Sequence, residues 1–302
     1  MSSSCGTLLV DKPSGRTSHD VVLELRRALG ISKIGHFGTL DPLATGVLIA
    51  ACGRATRLFP FFQAHDKTYE ARVRLGFSTD TYDSEGAPTS PVSDLIPGEA
   101  EVRAALTTFL GAQDQTPPAY SAKKLHGKPA YKRARKSEPV ARKPSPVIVH
   151  EIALTAFRPP ELEFRVRCSA GTYVRSLAHD LGEALGCGAH LVGLRRTKSG
   201  RFSLRDAVPL RKLQEAFHAG NWYQYLIPAA EALGDWPAIE LSPDDVEGVR
   251  HGHRVKAVEG TAVGDRVRGV STQGELVSLM ECVIGEDGAP AWQPKKVFFT
   301  SD

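Results

Sequence analysis

The segment Gly35–Leu48, GHFGTLDPLATGVL, sets His36 and Asp41 among three glycines and a proline and then runs into apolar residues. Glycine admits tight and left-handed backbone turns, and an Asp-Pro step favours a turn. Proline also suits the first position of a helix, so Asp41 taken alone reads as the cap of a helix that opens at Pro42. The other reading puts Asp41 on a rigid, exposed turn with its carboxylate aimed at a cleft. The segment alone leaves both open.

Upstream, GTLLVDKPSG (residues 6–15) reads as a short strand ended by a Gly/Pro turn. TSHDVVLELRRALG (17–30) reads as a helix, with Thr17 or Ser18 as cap, Val21, Val22, Leu25 and Leu29 at helical spacing, and Gly30 as the stop. Downstream, KTYEARVRLG alternates Tyr69, Ala71, Val73 and Leu75 on one side, the pattern of a half-buried strand. STDTYDSEGAP is a polar turn region, and 99–111 suggest a short helix. The Pro- and Lys-rich span 115–146 has little periodicity and is expected to be a long loop or arm. VIVHEIALTAF and ELEFRVRCSAG predict two adjacent strands, TYVRSLAHDLGEALG an amphipathic helix, and 208–234 a further helical zone. From Leu241 on, the β-type runs HRVKAV, DRVRGV, ELVSLMECVI and KKVFFT alternate with Gly-rich turns, which suggests a small β-rich unit set off by Pro237 and Pro243.

The 302 residues, 41% hydrophobic and 24% charged, can bury a real core and hold more than one domain. No apolar run is long enough to span a bilayer, and the first residues lack the basic and apolar pattern of a secretory leader. Cysteines at 5, 52, 168, 187 and 282 form no Cys-x-x-Cys pair, which argues against a zinc site or a disulfide framework. A reduced, cytoplasmic protein is expected. The net charge of +4 is unevenly spread: Lys123 to Lys143 hold nine basic residues against Glu138 alone. Leu194–Arg205 carries Arg195, Arg196, Lys198, Arg201 and Arg205 with no acid. Concentrated positive charge attracts a polyanion, of which nucleic acid is the usual one. The stretch from Leu241 has seven basic residues against ten acidic, the opposite balance.

Five blocks occur in one order: DKPSGRTS, GHFGTLDPLATGVL, KTYEARVRLG with STDTYDSEG, QTPPAYSAKKLHGKPAYKRAR, and GTYVRSLAHDLGEALGCGAHLVGLRR. Together they resemble the TruB family of pseudouridine synthases, over roughly residues 6 to 235. The resemblance implies an α+β fold: a catalytic domain (1–236) with a mainly antiparallel mixed sheet flanked by helices and an RNA-binding arm at about 115–146. A small β-rich PUA-like domain (237–302) would follow. It implies an isomerase that converts a uridine in the T-stem loop of tRNA, position 55, to pseudouridine, without cofactor or metal.

Such an enzyme must extrude a stacked base, at a cost of a few kcal/mol, which an aromatic ring can offset by about 1–3 kcal/mol. By resemblance, Tyr69 stacks on the uracil and His36 takes the place of the flipped base. Asp41 is the essential carboxylate, acting as nucleophile or as base, and either role needs its ionised form. Arg175 pairs with Asp41 through a fork that lysine cannot reproduce, and Tyr173 and Leu194 line the uracil pocket. Affinity should come from phosphate contacts, with Lys123, Lys124, Lys128, Lys132, Arg133 and Arg135 of the arm leading. Arg195, Arg196 and Lys12 are further RNA-binding candidates, Lys12 with a possible supporting role. The T-arm of tRNA is the expected partner of a monomer that needs no membrane and no obligatory protein. Two departures stand out: Phe37 where the family commonly has Thr, and the acidic tail. A tRNA-binding or folding protein without catalysis, and a guide-RNA-dependent synthase, are the rival readings. The Asp41, Tyr69 and Arg175 set argues against the first, because a carboxylate in an RNA cleft opposes simple binding. The bacterial-type blocks and the long arm argue against the second.

Overall fold

Strand β1 (Gly6–Lys12) forms where GTLLVDK is buried along almost its whole length. Helix α1 (Ser18–Leu29) follows, and its start is a capping box. The Asp20 amide donates to Thr17 Oγ1 at 3.0 Å, and the Thr17 amide donates to Asp20 Oδ2 at 2.9 Å, filling two otherwise open positions of the first turn. Gly30 ends the helix at φ 65°, in the left-handed region. Ser18, the other candidate cap, is buried and bonds both the amide and the carbonyl of Leu40, at 2.8 and 3.0 Å. This computed structural model describes residues 5–120, 124–125, 128–129, 143–286 and 288–298.

No helix opens at Pro42. After β2 (Ile34–Phe37) the chain turns through Asp41 and enters β3 (Thr45–Cys52) directly. The expectation of a helix starting at Pro42 therefore fails. The reason is tertiary: β3 inserts between β1 and β10 (Ala189–Ser199), and strand pairing claims the backbone that a helix would have used. β3 is buried on both faces, which explains its continuous apolar run.

The next strand, β4 (Lys67–Leu75), alternates buried and exposed from Tyr69 on, as the pattern predicts. The main sheet runs from β1 through β3, β10 and β4 to β9 (Glu161–Cys168), β8 (Ser145–Arg158) and β5 (Gly111–Gln115). Its pairings are antiparallel except β10 with β3 and a short edge strand (Val208–Pro209) with β1. Two-residue strands β6 (Lys124–Leu125) and β7 (Lys128–Pro129) pair with each other. On one face, α1 and the helix Val174–Ala184 pack over Tyr69, Ala71, Val73 and Val166. The expected helical zone 208–234 is broken: Leu210–His218 is helical, but Leu226–Pro228 is a strand paired with β1.

On the other face of β1 and β3 a second core holds Leu9, Val47, Ile49 and Phe62, and here Phe37 has its place. Its ring stacks on Phe62 at 4.8 Å, and Phe62 on Phe202 at 5.9 Å. Leu276, Leu279 and Phe298 of the C-terminal segment close this core. That segment carries its own five-stranded sheet, from Ala238–Leu241 to Pro290–Val297, with a parallel pair at one edge. It also carries a helix, Pro243–Arg250, that the β-run reading overlooked.

Candidate active site

The Asp41 turn is held from several sides before any RNA arrives. The Ala44 amide donates to Asp41 O at 3.1 Å and the Gly15 amide to Pro42 O at 2.9 Å. Ser18 fixes Leu40. Lys12 Nζ donates to the carbonyls of Pro13, Arg16 and Pro42 at 2.9, 2.5 and 3.3 Å. The position of the carboxylate is thus set by backbone bonds on both sides of it.

Arg175, in the first turn of the helix Val174–Ala184, meets that carboxylate: its Nε lies 3.0 Å from Asp41 Oδ2. Its Nη1 reaches Asp83 Oδ2 and Thr81 O, each at 3.1 Å, and Nη2 reaches Tyr120 O at 2.8 Å. The Arg175 side chain is 6% exposed and that of Asp83 4%, whereas Asp41 keeps 38% of its side chain open. One guanidinium thus serves two carboxylates, of which only Asp41 faces outward. Burial pushes the Asp41 carboxyl above its usual range, and the Asp83 charge adds to this, while Arg175 and Lys12 pull it down. The carboxylate has a window to solvent and yet sits deep among neighbouring atoms, so burial dominates.

Gln115 aligns the helix that carries Arg175. It accepts from the Tyr173 amide at 2.7 Å and donates to Tyr173 O at 3.0 Å. Ser176 Oγ donates to Thr116 O at 2.8 Å. The beginning of the expected arm therefore anchors Tyr173 and the start of the helix that carries Arg175.

Tyr69 is buried on β4, directly opposite Arg196 of β10. Burial raises its hydroxyl pKa, and the Arg196 charge opposes that shift. His36 lies half-buried on β2, where burial, Arg196 and His19 all lower its imidazole pKa. Among the described residues its buried Nδ1 has no hydrogen-bond partner. Leu194 is half-buried and borders, with Ser14, Leu43, Thr45 and Arg195, a cleft of ≈ 550 Å³ beside the Asp41 turn. Asp41, Tyr69 and Arg175 lie outside the lining of that cleft.

Two RNA-binding expectations change. Lys12 is 0% and Arg196 1% exposed, so neither can reach a phosphate. Both spend their donors on backbone carbonyls around the Asp41 turn. Burial lowers the Lys12 pKa to about 8, with the Asp41 charge opposing that shift. Arg195 is partly open and pairs with Asp11 at 2.8 Å. Spacing along a basic run does not reveal which side chains point inward at a strand crossing. Of the arm, Lys123, Lys132, Arg133 and Arg135 lie outside the described residues, and Lys124 and Lys128 are placed only as backbone in β6 and β7. The sequence reading missed Asp83, Ser18 and Gln115. Asp83 had a signal: it is an acid inside a matched block, STDTYDSEG, that was read only as a turn.

Residues 26–174 match the family model for the N-terminal domain of TruB family pseudouridylate synthase. Residues 175–233 match that for the tRNA pseudouridylate synthase B C-terminal domain. The chain belongs to the TruB family. It is a pseudouridine synthase, an isomerase. The tRNA pseudouridine synthase B of Opitutus terrae is 49% identical over 75% of this chain and 94% of its own. That of Solibacter usitatus is 41% identical over 92% and 96%. Among solved structures, an H/ACA RNP bound to a substrate RNA containing 2'-deoxyuridine has a chain with a TM-score of 0.74 and 27% identity. The match covers 99% of this chain and 86% of that one. The TruB fold is thus an α+β one, with a mixed sheet, flanking helices and a C-terminal β unit. Among the described residues no helix is long and apolar enough to cross a membrane.

Proposed function

We propose that this enzyme isomerises the uridine at position 55, in the T-stem loop of tRNA, with Asp41 as its catalytic carboxylate. The observation that carries the reading is the arrangement of Asp41, Arg175 and Asp83, in which the only outward-facing carboxylate is pinned by a buried guanidinium. The curated relatives are named tRNA pseudouridine synthase B, which supports tRNA as the substrate.

The target base leaves its stack, and the neutral ring of His36 takes the vacated space. Neutrality suits that task, since a charged imidazole resists entry among stacked bases. The uracil stacks on Tyr69, which returns about 1–3 kcal/mol of the lost stacking. Tyr173 and Leu194 bound the pocket. Ionised Asp41 then attacks the sugar or base, or removes a sugar proton that it later returns. The bond from uracil N1 to the sugar carbon breaks, the ring turns in place, and C5 bonds to that carbon. C5 loses its proton as N1 gains one, so the reaction is a net isomerisation. Arg175 keeps the carboxylate oriented and charged. Because burial raises the Asp41 pKa, the ionised fraction falls as pH drops through that raised value, and the rate falls with it. Lysines and arginines of the arm at 115–146 supply phosphate contacts.

Residues 1–236 form the catalytic unit, and 237–302 a PUA-like unit. The enzyme acts in the cytoplasm as a monomer without an obligatory protein partner. The test is to incubate the purified chain alone with an unmodified tRNA transcript and map pseudouridine. Wild type should modify position 55. Asp41→Asn should be slower by at least about 10³-fold with tRNA still bound. A mutant that turns over at the normal rate ends the assignment.

A further inference from the structure

Arg196 is among the largest fully buried side chains of the described residues. It stands on β10 opposite Tyr69 of β4 and opposite Gly46 of β3. The strands meet so closely there that a Cβ on Gly46 would overlap the Arg196 backbone oxygen. The guanidinium turns to the backbone: Nε donates to Val47 O at 2.7 Å, Nη2 to Gly38 O at 3.1 Å and Nη1 to Thr39 O at 3.4 Å. Its charge favours the ionised form of the Tyr69 hydroxyl, against burial. A buried cation satisfied only by neutral oxygens is costly to keep, and an apolar side chain of similar volume would fill the space at lower cost. Gly38 and Thr39 lie between His36 and Asp41, so Arg196 bonds the loop that carries the carboxylate while standing across the strand pairing from the residue expected to hold the base.

We propose that Arg196 is a positioning residue for the isomerisation, which sets the Gly38–Thr39 backbone, and with it Asp41, at a fixed distance from the Tyr69 ring. This rests on the roles given above to Asp41 and Tyr69. The planar fork is what allows three carbonyls to be bound at once in a fixed plane, which a lysine ammonium cannot do. Its charge also helps to hold His36 neutral.

The test uses the full-length protein, with single-turnover rate, tRNA Kd and thermal melting measured together. Arg196→Lys should slow turnover by at least about thirtyfold while Kd stays within about threefold. Tyr69→Phe alone should slow wild type by about tenfold or more, but should slow Arg196→Lys by less than about threefold further, because one linkage is lost only once. A purely structural arginine would let the two losses multiply. Gly38→Ala gives a second route that leaves Arg196 in place. Gly38 adopts φ 90°, so a side chain there shifts the carbonyl that Arg196 binds. This variant should lose rate by about tenfold or more with unchanged Kd. The proposal is overturned by multiplicative losses, by Arg196→Lys turning over within about threefold of wild type, or by Gly38→Ala doing so should Arg196→Lys not fold. Asp41→Asn run alongside separates the cases. If it is active, the reading of Asp41 fails; if it is inactive while Arg196→Lys matches wild type, this inference fails alone.

Discussion

The Asp41 turn and the seam beneath the C-terminal sheet are built on opposite physical terms. Around Asp41 the fold buries charge: Lys12, Arg175, Asp83 and Arg196 are each at most 5% exposed, and they are held by ion pairs and by hydrogen bonds mostly to backbone. At the seam it buries carbon: Leu276, Leu279 and Phe298 lie on Leu9, Val47 and Ile49. Polar contacts there run along the same seam, from Arg54 to Phe298 O at 3.3 Å, Arg57 to Val297 O at 2.7 Å and Arg268 to Ala230 O at 2.5 Å. Hydrogen bonds and ion pairs are directional and fix a geometry, whereas apolar burial is non-directional and contributes stability. One region should therefore control rate, and the other should control how long the fold survives.

The largest expected effect is on the first region. Arg175→Lys keeps the charge but loses the fork that holds Asp41 and Asp83 together, and single-turnover pseudouridylation should fall by about 10²–10³-fold. Melting should move far less than the rate. A lysine enzyme close to wild type in rate would mean that charge alone, not geometry, holds Asp41.

The second effect inverts the pattern. Phe298→Ala removes a buried ring from the seam and should destabilise the chain by about 3–5 kcal/mol in denaturant unfolding. The rate per folded molecule should stay at the wild-type value. A large loss of rate in the folded fraction would show that the C-terminal unit reaches into the chemistry and would erase the contrast.

The smallest effect sharpens the comparison within one helix. Asp180 lies a little more than one turn beyond Arg175, and burial, aided by Glu183, raises its pKa from 3.8 to about 6. A folded pKa above the unfolded one means that its contribution to stability is complete below pH 3.8 and is lost as pH rises through about 6. Asp180→Asn should therefore stabilise the protein by about 1–2 kcal/mol at pH 7, after allowance for solvent screening, and not at all near pH 3. Catalysis should be indifferent to it. Equal melting curves at both pH values would show that the group is solvated in the folded chain.

Elements whose burial follows a period were legible. The alternation of β4, the capped α1, and the neighbouring strands β8 and β9 came out as read. The helix Pro243–Arg250 was missed although its signal is plain: Ser242 caps it and Pro243 opens it. There the repetition of β-type runs on either side overrode a local cue. Asp41, by contrast, has a helix-start signature and no helix.

The sequence by itself determined which residues are of one kind: the apolar periods, the glycines at left-handed turns, and the blocks that mark the TruB family. It could not determine which basic residues face RNA. Lys12, Arg195 and Arg196 look alike along the chain, yet two of them are sealed in the core and the third, partly open, pairs with Asp11. Asp83 joined the site only when folding brought it against an arginine 92 residues away. Charge type is local and can be read from a line of letters. Burial and pairing depend on which strands cross, and that is settled only when distant segments pack.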